Sequence, residues 1–95
     1  MEKRLEVRVV GRVQMVMYRD FAMRNAKKLG LTGFVENKED GSVRVMAEGE
    51  ESVLNTYLER LRTGPLLSHV EEVLPTWGEP RDEYSDFSIH YNKAQ

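Results

Sequence analysis

The chain of 95 residues has no cysteine, which excludes disulfides, thiolate nucleophiles and cysteine-based zinc sites. Histidine is scarce too: His69 and His90 stand far apart with no other ligand spacing near them, so no metal site is expected. The chain lacks an excess of basic charge. Its net charge of −2 is the opposite of the footprint of a nucleic-acid binder. At the N-terminus, MEKRLEVRVV interleaves charges with apolar residues, so neither a signal peptide nor a membrane span is expected there. The missing cysteine fits a reducing compartment, and a cytoplasmic location is the expectation.

At this length one domain spanning residues 1–95 is expected. Leu5, Val7 and Val9 alternate with Glu6, Arg8 and Val10, a period of two that predicts a strand over Arg4–Val13. From Arg19 the period changes. Ala22, Ala26 and Leu29 fall at helical spacing beside Tyr18 and Phe21, and Gly30 stands where a helix would stop. TGFVEN and SVRVMAEG read as two strands around a turn at Asp40-Gly41. Glu50 and Glu51 suit the positive end of a second helix. Its apolar stripe is Val53, Leu54, Tyr57, Leu58 and Leu61, and Thr63-Gly64-Pro65 ends it. His69–Leu74 and Phe87–Tyr91 read as strands, separated by the polar stretch GEPRDEYSD, which is expected to be solvated loop. The order β-α-β-β-α-β with a short added strand matches an α+β, ferredoxin-like split β-α-β sandwich. An antiparallel sheet would carry two helices on one face and leave the other partly open.

The stretch GRVQMVMYRD, Gly11–Asp20, carries the chemistry. A strand runs through a short loop into a helix, and the first N–H groups of a helix have no internal acceptor. With the helix dipole they form a natural site for phosphate or carboxylate. Arg19 adds a permanently charged fork able to hold two phosphate oxygens. Asn37, at the end of the strand TGFVEN, reads either as a turn residue or as a site group.

GRVQMVMYR, AKKLGLTG and NKEDGSVRVMAEG appear in order at Gly11–Arg19, Ala26–Gly33 and Asn37–Gly49, with TGPLLSHV following at Thr63–Val70. Together they resemble acylphosphatase over most of the chain. The resemblance implies hydrolysis of acyl phosphates to a carboxylate and inorganic phosphate, without metal or cofactor. It implies that the phosphate-binding loop Gln14, Met15, Val16, Met17, Tyr18 and Arg19 cradles phosphate through backbone N–H groups. Arg19 would clamp the phosphoryl oxygens and Asn37 would hold the attacking water, these two being the catalytic residues. The partner implied is a small-molecule acyl phosphate or inorganic phosphate, bound by a monomer with no nucleic acid or membrane involved.

The chain departs from the family pattern at Met15 and Met17, where the pattern has glycines. A methionine keeps its N–H, so conformation decides the effect. At positive φ a side chain costs roughly 1–2 kcal/mol, and a loop that relaxes instead turns a donor away. Losing one preorganised donor costs about 100–1000-fold in rate. Alternatively both methionines point away, with Met17 filling a gap in the core. The readings are thus an active hydrolase, or an impaired acylphosphatase-like domain that binds an anion or a partner. An RNA-recognition module shares the element order, but Phe34 alone does not make its aromatic pattern. Trp77, Tyr84 and Tyr91 read as core or rim packing.

Overall fold

Alternation along the first strand sets the layers. In the computed structural model, which describes residues 1–14 and 17–91, β1 spans Glu2–Arg12. It buries Leu5, Val7 and Val9 on one face and carries Arg4, Glu6 and Arg8 on the other. It is followed by α1 (Tyr18–Lys28), β2 (Thr32–Asn37), β3 (Val43–Glu50), α2 (Glu51–Thr63), β4 (His69–Gly78) and β5 (Phe87–His90). The five strands form one sheet in the order β4-β1-β3-β2-β5, with both helices against the apolar face, so the ferredoxin-like α+β expectation holds.

The sheet departs from the antiparallel expectation at one junction. β1 pairs antiparallel with β3 and β4, and β2 with β3, but β5 lies parallel to β2. The long return past residue 78 brings the chain back to the β2 end of the sheet rather than folding it over as a hairpin, which makes a parallel pair possible. β4 is also longer than its apolar core suggested. It continues through Pro75 to Gly78 as a mostly exposed edge strand, a place where a proline without an N–H is tolerated.

The helices contribute Tyr18, Ala22 and Ala26 from α1 and Leu54, Tyr57, Leu58 and Leu61 from α2 to a single core with the apolar sheet face. Small alanines on α1 allow close packing, and two buried tyrosines stitch the helices together. The Tyr57 hydroxyl donates to the Ala22 carbonyl at 2.8 Å, and the Tyr18 hydroxyl donates to the Leu61 carbonyl at 2.6 Å. Leu61 lies in the last turn of α2, where carbonyls have no partner within the helix. The first helix ends as its sequence suggested. Gly30 takes φ +73, and the Leu31 N–H returns to the Ala26 carbonyl at 2.9 Å, closing the helix with a left-handed residue.

The second sheet face is ionic rather than bare. Arg44 binds Glu6 at 2.7 Å and Glu36 at 3.2 Å, and its guanidinium lies 5.2 Å from the Phe34 ring centroid. Phe34 stacks on His90 with centroids 4.4 Å apart, which accounts for a histidine with no metal-ligand neighbours. The polar segment after β4 was expected to be solvated loop, yet part of it folds onto this face. The Arg81 and Asp82 N–H groups donate to the Glu48 carboxylate at 2.8 and 3.0 Å, and Tyr84 packs 5.5 Å from Phe34.

Candidate active site

At the end of β1 the chain passes a bulge at Val10/Gly11, buries Val13, and enters the loop that leads to α1. Gly11 takes φ +135, and a Cβ there would collide with the His69 carbonyl of the adjacent strand. The first glycine of the motif is therefore required by the close approach of β4, one step removed from any ligand.

Met17 is the N-cap of α1 in the left-handed region, with φ 61 and ψ 26. Its carbonyl accepts the Phe21 N–H at 3.0 Å, which makes the first helical bond. Among the described residues no side chain caps this terminus, and the N–H groups of the first turn have no acceptor within the helix. The Met17 side chain is 68% exposed. The expectation that it fills a core gap is thereby corrected, because a left-handed N-cap turns its Cβ outward. Tyr18 instead sends its ring into the core. Burial pushes its hydroxyl pKa well above the ordinary tyrosine value.

Arg19 is the second residue of α1, and its guanidinium lies over the Tyr91 ring, 5.1 Å from the centroid. Asn37 is the last residue of β2, on the core-facing side, and only 9% exposed. Its Oδ1 is buried with no hydrogen-bond partner among the described residues. The parallel register of β2 and β5 runs to Glu36↔His90, so the chain leaves β5 at Tyr91 beside Asn37. The result is a cleft of about 400 Å³ lined by Val13, Met17, Tyr18, Arg19, Asp20, Asn37, Ile89 and Tyr91. Asp20 is the one acid among these, and Arg24 pairs with it at 2.6 Å.

A larger likeness accompanies this geometry. The family model for acylphosphatase matches residues 5–89. The chain belongs to the acylphosphatase family. An acylphosphatase of Salinibacter ruber is 41% identical over 88 residues, covering 93% of each chain. One of Thermus thermophilus is 50% identical over 76 residues, covering 80% of this chain and 86% of its own. The crystal structure of acylphosphatase from Bacillus subtilis superposes with a TM-score of 0.91 at 35% identity, covering 94% of this chain and 99% of its own. The chain is accordingly an acylphosphatase, an acyl-phosphate hydrolase, with the fold of that family.

Four of the residues expected from the motif line this cleft: Met17, Tyr18, Arg19 and Asn37. Gln14 does not. Its side-chain amide donates to the Lys38 and Ser42 carbonyls, both at 2.9 Å, so it reaches across to the β2–β3 turn. Met15 and Val16 lie outside the described residues. Sequence reasoning missed Val13, Asp20, Ile89 and Tyr91 as lining groups. Asp20 was legible in principle as an acid in a first helical turn with a basic residue four positions on. Tyr91 was not, since its place depends on the parallel pairing of β5.

The turn that follows Asn37 is held firmly. Asp40 accepts hydrogen bonds from the Ser42 hydroxyl at 2.6 Å and N–H at 3.0 Å, and pairs with Arg8 at 2.7 Å. The two bonds from Ser42, then Arg8, hold the Asp40 carboxyl far below the usual carboxylate range. Across the described residues no group of three or more histidine, cysteine, aspartate or glutamate side chains could hold a metal ion, and no helix is long and apolar enough to cross a membrane.

Proposed function

We propose that this cleft hydrolyses acyl phosphates by attack of water on phosphorus, with Arg19 and the first N–H groups of α1 on the phosphoryl oxygens and Asn37 on the water. The carrying observation is that Arg19, in the first turn of α1, and Asn37, whose buried Oδ1 has no hydrogen-bond partner among the described residues, line one cleft. A buried acceptor left alone costs about 1–3 kcal/mol. An asparagine oxygen in that state is suited to accept a hydrogen bond from an incoming water while its amide donates elsewhere.

In this step the water oxygen bonds to phosphorus as the bond from phosphorus to the acyl oxygen breaks. The bonding pair leaves with the carboxylate, and the water protons pass to phosphate and solvent. A carboxylate is a good leaving group and needs no proton donor. Catalysis then reduces to positioning and to stabilising charge on the equatorial oxygens, which is the usual demand of phosphoryl transfer. Asp20 is paired with Arg24, so the reading assigns no general base.

The chain is a working hydrolase in this reading. Met17 already holds the left-handed conformation that a glycine would supply freely, so the start of α1 keeps its aim and the side chain extends into solvent. The substrate is a small-molecule acyl phosphate, bound by a monomer in the cytoplasm. The net charge of −2 supports a function without nucleic acid. Turnover of benzoyl phosphate in heavy-oxygen water tests the step: the label is expected in inorganic phosphate. Label in benzoate would place attack at the carbonyl carbon and remove the roles given to Arg19 and Asn37.

A further inference from the structure

We infer that Gln14 is a positioning residue, a clamp that fixes the phosphate loop at its distance from Asn37, and that it touches neither phosphate nor water. The inference rests on the reading of the cleft as the site of acyl-phosphate hydrolysis. A primary amide nitrogen carries two hydrogens. Both are used here, on the Lys38 and Ser42 carbonyls, each at 2.9 Å.

These acceptors belong to a rigid receiver. The Lys38 N–H also donates to the Ser42 carbonyl at 2.8 Å, and Gly41 closes the turn onto the Lys38 carbonyl at 3.2 Å. Ser42 is buried, and Asp40 ties it to Arg8 of β1. Asn37 is the residue just before this turn. The clamp therefore joins the two halves of the site, the loop that leads into α1 and Arg19, and the strand end that carries Asn37. Nothing else among the described side-chain hydrogen bonds links the loop to that turn. Phosphoryl transfer is sensitive to such spacing, since a misplacement of about 1 Å can cost ~100-fold in rate.

Gln14 sits within the loop that the resemblance assigns to phosphate through backbone N–H groups, and a side-chain amide that donated to phosphate instead would act as a ligand. The two roles separate by experiment. Phosphate inhibition and benzoyl phosphate kinetics are compared for the unmodified chain, Gln14→Ala, Asn37→Ala and the double variant. A clamp lowers kcat by about 10–100-fold in Gln14→Ala while the inhibition constant of inorganic phosphate stays within about threefold. In the Asn37→Ala background the same change then costs less than about threefold, because there is no longer an oriented water to misplace. Equal losses in both backgrounds, or phosphate inhibition weakening in step with kcat, overturn the inference.

Deuterium exchange gives a readout independent of turnover. Exchange at the Lys38 amide, which shares the Ser42 carbonyl with Gln14, is expected to quicken at least about tenfold in Gln14→Ala. Unchanged exchange contradicts the clamp. If the unmodified chain shows no Arg19-dependent hydrolysis, the reading of the cleft fails by itself, and the exchange result still decides whether Gln14 holds the turn.

Discussion

The guanidinium of Arg19 rests on the face of Tyr91, 5.1 Å from its ring centroid. The two residues come from opposite ends of the chain, and the parallel pairing of β5 with β2 brings them together. An exposed contact of this kind contributes about 0.5–1 kcal/mol. That is enough to bias which way a long side chain points in the cleft. Tyr91→Ala is expected to lower kcat/KM for benzoyl phosphate by roughly 2–5-fold, the kinetic equivalent of that energy. Tyr91→Phe, which keeps the ring, stays near the unmodified value, so parallel steady-state assays separate the ring from the hydroxyl.

Met17 carries a local cost. At φ 61 a side chain is disfavoured by roughly 1–2 kcal/mol relative to glycine, partly offset by about 0.4–1 kcal/mol from the greater freedom of glycine in the unfolded chain. Met17→Gly is therefore expected to stabilise the fold by about 0.5–1 kcal/mol, raising the thermal midpoint by a few degrees. Its kcat is expected to equal or exceed that of the unmodified chain, as the conformation is already in place. Calorimetry and benzoyl phosphate kinetics on the same preparation check both.

The two tyrosines that stitch the helices make the fold sensitive to alkali. Burial raises the pKa of both Tyr18 and Tyr57, with the neighbouring Tyr18 adding to the effect at Tyr57. The native state holds their protons after the unfolded chain has released its own near pH ~10. Stability is thus intact below about pH 10 and falls above it, by about 1.4 kcal/mol per pH unit for each tyrosine. Urea titrations between pH 8 and 11 are expected to show this decline, and Tyr18→Phe and Tyr57→Phe are each expected to flatten it. Tyr18→Phe loses about 1–3 kcal/mol at neutral pH, because the Leu61 carbonyl near the end of α2 is left without its donor. Tyr57→Phe loses about 0.5–1.5 kcal/mol, because the Ala22 carbonyl lies within α1 and keeps a helical partner.

Gly11 belongs to the motif, yet its requirement is structural. A Cβ at this position meets the His69 carbonyl and the Glu71 N–H of β4, at a φ that side chains rarely adopt. Gly11→Ala is expected to cost at least ~2–3 kcal/mol through backbone displacement at the bulge. Activity per folded molecule should change much less than stability. Denaturant melts alongside active-site titration with inorganic phosphate distinguish the two.

The legible parts of the sequence were those written in local periodicity. Leu5, Val7 and Val9 mark a half-buried strand, the Ala22 and Ala26 spacing marks the first helix, and Gly30 marks its end; each lies where that pattern places it. The parallel placement of β5 was not legible, because strand partners are chosen by tertiary packing and not by the residues of a four-residue segment. That one pairing decides where Tyr91 and Ile89 go, so the far wall of the cleft was hidden with it. Asn37 could be read either as a turn residue or as a site group, and in the fold it occupies a strand end that faces the cleft. The left-handed geometry of Met17 was foreseen as a condition. Its outward side chain was not, since an N-cap is defined by the helix that follows it.

The central claim is that Arg19 and Asn37 act together on an acyl phosphate, and steady-state hydrolysis of benzoyl phosphate tests it most directly. The unmodified chain is expected to turn over, with Arg19→Ala and Asn37→Ala each losing about 100–1000-fold in kcat/KM. Inorganic phosphate is expected to inhibit the unmodified chain competitively, and Arg19→Ala far more weakly. Turnover that survives both substitutions would contradict the assignment, as would a chain that binds phosphate through Arg19 and hydrolyses nothing.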